Sequence, residues 1–188
     1  MKGILFKPDM IKAIVEGRKT VTRRVMQNQP VEMDKVYYKA FRKDYGCRVP
    51  RYQIGEVVYI KEAHRYIQND GDPYDFGIQY KLDSQVKWWR DNGNLMDYPI
   101  DEKWRSPLFL KELFARHFIK ITDVRAERLR EISEEDAIAS GISPEETPDE
   151  APPAMRYASL WDSINPKYPW ELNPFVFTYK FVKVDKLP

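Results

Sequence analysis

The rhythm of apolar and polar positions changes several times along the 188-residue chain, and each change predicts an element. "GILF" at 3–6 is a short apolar run and reads as a first strand. Asp9 then caps a helix beginning at Met10, with Met10, Ile11, Ile14 and Val15 on one face. Gly17 follows as the residue past the helix end, where a left-handed turn costs glycine little. "KTVTRRV" (19–25) is β-prone. An ideal strand puts Lys19, Val21 and Arg23 on one face and Thr20, Thr22 and Arg24 on the other. "GEVVYIKE" (55–62) is a strand after a glycine turn, "FGIQYKL" another, and "HFIKITDVRAERL" from 117 a third, long enough to bend. Trp88 and Trp89 read as part of a short helical stretch. Ser133 caps a helix with Asp136 at its third position, and Gly141 ends it. Residues 154–164 read as an amphipathic helix with Met155, Ala158 and Trp161 or Leu160 inward. In "PFVFTYKFVKV" Phe175, Phe177, Tyr179 and Phe181 alternate, as in a core strand that closes the fold.

About six strands with helices between them predict an α+β chain. No helix bridges two parallel-looking strands, so mostly antiparallel pairing and a small β-barrel with helices packed around it are expected. The whole of 1–188 reads as one domain, with a loop at 26–54, an insert at about 66–105 and an acidic, proline-rich loop at 143–153.

Composition narrows the function classes. Apolar residues at 43% and aromatics at 14% make the chain globular. No apolar run approaches membrane-spanning length, and the N-terminus lacks the apolar run of a signal peptide, which points to the cytoplasm. Cys47 is the sole cysteine, so there is no internal disulfide; it reads as a loop thiol. His64 and His117 are far apart and lack zinc-ligand spacing, so no metal and no cofactor are expected. The net charge of +2 conceals an asymmetry: residues 1–66 carry +8 and residues 123–150 carry −7. A positive N-terminal third suits a phosphate-bearing partner, unless the two segments pack together and cancel.

The segment "GRKTVTRR" (17–24) is where charge and structure meet. Its residues have ordinary structural roles open to them. Lys19 suits the C-terminal end of the preceding helix, Thr22 is an acceptable strand residue, and Arg23 and Arg24 can pair with the acidic 123–150 segment. Trp88, Trp89 and Trp104 are able to stack bases, but packing in the core or the insert is the favoured reading.

"GRKTVTRR" after a short helix resembles the G-x-K-x-x-T-x-R signature of ASCH domains, members of the PUA-like superfamily. "IGEVVYIKE", "ITDVRAERLREISEEDAIASGI" and "LWDSINPKYPWELNPFVFTYKF" resemble further segments of that family in the same order, the last of them the tail of its phage and prophage branch. The resemblance spans Gly3 to Val184. It implies a pseudo-barrel with a cleft and a nucleic-acid or nucleoside partner. Some relatives are amidohydrolases that deacylate N4-acetylcytidine with a Lys, a Thr and a Glu; carried over, the first two fall on Lys19 and Thr22 and the trailing Arg on Arg24.

That set has a physical logic. A threonine hydroxyl needs a base beside it. Lysine serves only when neutral, which burial and nearby positive charge from Arg18, Arg23 and Arg24 favour. Lys19 and Thr22 have opposite parity in a strand, so they converge only if the chain turns or bulges at Lys19–Thr20. The expected Glu falls on Ser140, which leaves Asp136, one turn earlier, and Glu62 as candidate carboxylates. The primary expectation is therefore RNA binding in a basic cleft, with Arg18, Arg23, Arg24 and Lys61 as ligand contacts. The alternatives are a nucleoside- or RNA-processing hydrolase using Lys19, Thr22 and Glu62, and a phage-derived module whose partner is a protein.

Overall fold

The alternation that predicts strands is realised as β1 (Lys2–Leu5), β2 (Val21–Val25), β3 (Val57–Lys61), β4 (His64–Asn69), β5 (Asp72–Tyr80), β6 (Val86–Arg90), β7 (Phe118–Arg128) and β8 (Phe175–Val184). The helices are α1 (Pro8–Val15), α2 (Glu134–Ala139) and α3 (Pro153–Ile164). The computed structural model describes residues 1–27, 29, 49–69, 71–90, 103–144 and 151–185. Most of the expected loop at 26–54, including Cys47, and much of the 143–153 loop lie outside the described residues.

The described strands form two sheets, of five and three strands. The α+β class is as expected, but neither sheet closes into a barrel, because each ends on two edge strands. The expectation of mainly antiparallel pairing also misses one contact: β1 and β3 pair in parallel, Ile4 opposite Ile60.

The chain folds as two compact units. One comprises Met1–Lys12, Val57–Phe118 and Val184–Pro188; the other comprises Ala13–Glu56 and Ile119–Lys183. In the first, β5 lies between β4 and β6, both antiparallel to it. Their inner face packs around Phe114, whose ring meets Tyr66, Phe76 and Trp89 at centroid distances of 6.1, 5.8 and 5.2 Å. Trp88 and Trp89 are thus strand residues, not helical ones. Trp89 stacks on Phe76 inside, and Trp88, next in sequence, faces the other side and is 49% exposed. Two adjacent bulky aromatics give no period by themselves, which is why a helix was the wrong reading.

In the second unit β8 lies between β7 and β2. It is buried on both faces, with Phe175, Phe177, Tyr179 and Phe181 to one side and Val176 and Thr178 to the other. Val176, Leu129, Ile132, Ala137, Tyr157 and Trp161 form its core with α2 and α3. The inward face of α3 is therefore Tyr157 and Trp161, while Met155 is 63% exposed. Ser133 caps α2 through the Asp136 amide, as the sequence predicts.

Phe114 is 1% exposed at the centre of three aromatic rings. Phe114→Ala is expected to cost about 3–5 kcal/mol, read as a lowered urea midpoint. A loss below about 1 kcal/mol would show that these rings do not carry the unit's core.

Candidate functional site

The second unit's site is built where α1 stops. Gly17 adopts φ +80, a conformation open to glycine, and reverses the chain. The amide of Lys19 then donates to Ala13 O at 3.0 Å and that of Thr20 to Ala139 O at 2.8 Å. Phe181 N donates to Thr20 O at 2.9 Å. Lys19 forms an isolated antiparallel bridge with Ser140, and the regular strand begins only at Val21. Lys19 therefore precedes β2, and strand parity does not separate it from Thr22. Its side chain folds forward along the chain, and Nζ donates to Val21 O at 2.8 Å and to Ser140 O at 2.7 Å. The amine lies beside the Val21–Thr22 peptide. It also binds the carbonyl of Ser140, the residue that ends α2, and not one of the preceding helix. Gly141 makes this approach possible: its φ is +95, and a Cβ there would lie 3.4 Å from Lys19 Cβ.

Lys19 is 3% exposed. Its pKa falls to about 7, first through burial and then through the charges of Arg24 and Arg23. The amine is thus divided between its charged and neutral forms near neutral pH. Thr22 is also buried, opposite Tyr179 on β8.

Arg23 faces a different task. Its side chain is fully buried. Nε donates to Glu127 Oε1 at 3.2 Å, Nη2 to Asp136 Oδ2 at 2.8 Å and Nη1 to Ser140 Oγ at 3.3 Å. Glu127 Oε1 also accepts from Thr178 Oγ1 at 2.6 Å, and Asp136 Oδ2 accepts from Arg125 Nη2 at 2.8 Å. Burial pushes the Asp136 carboxyl up, but its bond to Arg125 and the charges of Arg23, Arg125 and Lys180 hold it below its ordinary value. Asp136, a candidate counter-ion for Lys19, is thus engaged by arginines. Part of the basic N-terminal charge is spent on the acidic 123–150 segment within this unit.

Arg24 is half-buried among phenols. Burial lowers its pKa, and Tyr52, Tyr157 and Tyr179 oppose that while Arg51 adds to it. Tyr52 meets Tyr179 edge-on at 5.5 Å. Tyr157 is pushed up to about 12 by burial, against the pull of Arg23 and Arg24, so it remains a phenol donor. These tyrosines come from three separate stretches of chain, and no spacing in the sequence links them to Arg24. Arg18, by contrast, is exposed and pairs with Glu16, its Nε at 2.8 Å.

Glu62 and Lys61 belong to the first unit. Arg116 grips Glu62 through Nε at 2.9 Å and Nη2 at 2.7 Å, and Glu62 is 1% exposed. Arg116 also donates to Asp83 at 2.8 Å and lies 4.2 Å from the Tyr80 ring centroid. Lys61 Nζ donates to Leu108 O at 2.7 Å. His64 is fully buried, its Nδ1 placed 3.1 Å from Glu62 O, and burial lowers its pKa. Among the described residues no group of three or more His, Cys, Asp or Glu side chains is placed to hold a metal ion. No helix among them is long and apolar enough to cross a membrane.

No family model matches the sequence, and no curated protein matches it. Solved structures with a similar course include a protein of Enterococcus faecalis described by the family model DUF984, at TM-score 0.42 and 14% identity over 93% of this chain and 66% of that one. They also include an ASCH domain of Lactobacillus crispatus, at TM-score 0.40 and 12% identity over 98% of this chain and 80% of that one. The chain thus spans just under two thirds of the first of these, and the second bears the name of the family that its motifs resemble.

The buried lysine has a consequence for stability. Unfolded, Lys19 keeps the ordinary value near 10.5; folded, it releases its proton near 7. Between these values the unfolded chain holds more protons, so stability rises with pH across that window and the penalty is complete below 7. Relative to Lys19→Met, the wild-type protein is expected to gain stability from pH 7 to pH 9.5 in urea melts. Parallel pH dependences for the two proteins would mean that Lys19 titrates as if exposed.

Proposed function

We propose that the chain binds a nucleobase-bearing anion, RNA or a nucleotide, at Lys19, Thr22 and Arg24 in the second unit. One observation carries this reading: Lys19 is a buried cation whose charged form is disfavoured by burial and by the neighbouring charges of Arg24 and Arg23, and Arg24 itself lies half-buried in a setting of phenols. Like charges brought together out of water are unfavourable, and an arriving phosphate offsets both. Tyrosine rings offer stacking surface and hydroxyl donors for a base. The ASCH resemblance points to the same partner class. Arg23 plays a supporting part, because its donors are already committed to carboxylates.

Calorimetry with cytidine monophosphate tests this. Binding is expected at low salt, weakening as salt rises, and Arg24→Gln is expected to reduce affinity by about tenfold or more without changing the melting temperature greatly. Arg23→Gln is expected to do the reverse, lowering stability first by removing the buried cation that bonds both Glu127 and Asp136. Absence of nucleotide binding at low ionic strength would overturn the proposal.

A second reading is favoured by the amine of Lys19 being partly neutral near pH 7. As in the amidohydrolases that the motif resembles, a neutral Lys19 takes the proton of the Thr22 hydroxyl. The oxygen attacks the acyl carbon of N4-acetylcytidine, the exocyclic nitrogen leaves protonated, and water releases acetate from the ester. The acid that protonates the leaving nitrogen is what Ser140 lacks. Ser140 bridges to Lys19, and its hydroxyl accepts from Arg23, so a carboxylate there is placed next to both. Ser140→Glu is expected to raise acetate release from N4-acetylcytidine above wild type, and adding Lys19→Ala is expected to abolish it. A wild-type rate equal to that of Ser140→Glu would assign the acid to another carboxylate, and silence in both would leave the binding reading alone.

A further inference from the structure

The outer face of the β4–β5–β6 sheet carries a feature that the Lys19 site does not use. Trp88 and Trp104 are 49% and 41% exposed, although tryptophan is among the residues that gain most from burial. Both are held in place. Trp88 stands opposite Gly77 on β5, and a Cβ at Gly77 would come 3.0 Å from the Trp88 ring, so the indole lies across the glycine. The absence of a side chain at Gly77 leaves room for the Trp88 ring, Ile67 and Val86, all of which a Cβ there would meet within 3.0 Å. Trp104 precedes Arg105, which bridges to His64 at the edge of β4. Its ring is flanked by two cations, Arg65 at 5.0 Å and Lys81 at 5.8 Å from the centroid. Arg65 is fixed in turn by Gln79, which accepts from its Nε at 2.7 Å. Arg90, paired with Asp75, continues the same face on β6. Trp104 and Trp88 are thus about three strand spacings apart, on the order of 14 Å.

We propose that this face is a second nucleic-acid surface, on which single-stranded RNA stacks bases on Trp88 and Trp104 while its phosphates run past Arg65, Lys81 and Arg90. The charge of the face decides between occupants. A protein partner would favour an apolar patch with a mixed rim, whereas a ring flanked by two cations, as at Trp104, matches the two parts of a nucleotide: a π-face for the base and positive charge for the phosphate. The tryptophans are oriented before any ligand arrives, so little side-chain freedom is lost on stacking. This surface stands on its own residues and does not require the Lys19 site to bind.

Fluorescence anisotropy of a labelled oligouridylate of about twelve nucleotides, titrated with the full chain at low and moderate salt, tests the proposal. Trp88→Ala and Trp104→Ala are each expected to weaken binding by about tenfold or more, and Arg65→Gln to weaken it while flattening the salt dependence. All three variants are expected to bind cytidine monophosphate like wild type, and Arg24→Gln to keep the tryptophan-dependent part of oligonucleotide binding. Circular dichroism melts confirm that the exposed-ring variants stay folded; Trp88→Phe, which keeps a stacking ring, is expected to restore most of the affinity. Tryptophan variants that bind the oligonucleotide as wild type does would overturn the proposal while leaving the Lys19 site untouched. An oligonucleotide that fails to bind at low salt would also overturn it, and would return the face to a protein partner.

Discussion

The second unit depends on one buried cation. Arg23 leaves β2 and meets Glu127 of β7, Asp136 of α2 and, through Glu127, Thr178 of β8, with its guanidinium 5.8 Å from the Tyr157 ring of α3. Five elements thus converge on a side chain with no exposed surface. A charge taken this far from water is tolerated only when its donors are met, and here Nε, Nη1 and Nη2 each have an acceptor. The geometry also fixes α2. Asp136 is pinned by Arg23 and Arg125, and so the C-terminal turn of α2 comes to rest with its Ser140 carbonyl within reach of Lys19.

The basic stretch after Gly17 therefore divides its work by position. Arg18 stays in solvent with Glu16. Lys19 is drawn inside by two carbonyls, Arg23 holds the scaffold, and Arg24 enters a ring of phenols. The field that acts on Lys19 comes from Arg24 and then Arg23. Neutralising Arg23 with two carboxylates weakens its share of that field, which is consistent with Arg24 having the larger effect. The first unit solves the same problem separately. Arg116 binds Glu62 through two nitrogens and Asp83 through the third, over the face of Tyr80. In both units an arginine fork satisfies carboxylates that a lysine point charge would hold less well.

Local signals in the sequence were legible because local physics decided them. Gly17 marks a helix end through its positive φ, Ser133 is a cap, and the alternating aromatics of β8 make a buried strand. The pairing of Arg23 with the acidic 123–150 segment was one of two readings that charge alone allowed. What stayed hidden was non-local or lacked a period. Trp88 and Trp89 look alike in sequence but face opposite sides of β6. Strand β4 was concealed in a polar insert because only His64 and Tyr66 of its six residues are buried. Arg116 as the partner of Glu62, and the tyrosines around Arg24, are 54 residues away or scattered over three segments, and only the fold brings them together. The parity conflict between Lys19 and Thr22 disappears for a similar reason: contacts from α2 and β8 hold Lys19 and Thr20 outside the regular strand.

Position 140 concentrates the remaining question into one of charge. The network beside it comprises the buried Arg23 and the partly exposed Arg125 and Lys180 against Asp123, Glu127 and Asp136, three cations and three anions. Lys19 and Arg24 add to the positive side. Serine contributes a hydroxyl that accepts from Arg23 and donates to Asp136 O, and so satisfies hydrogen bonds without altering that balance. A carboxylate at the same place would oppose the added charges of Lys19 and Arg24 and, by favouring the ammonium form, draw the Lys19 pKa up. With serine there, the Lys19 amine keeps its readiness to lose a proton near neutral pH. On the proposed reading, it is this uncompensated pull on Lys19, and not a carboxylate of its own, that prepares the site for an anion.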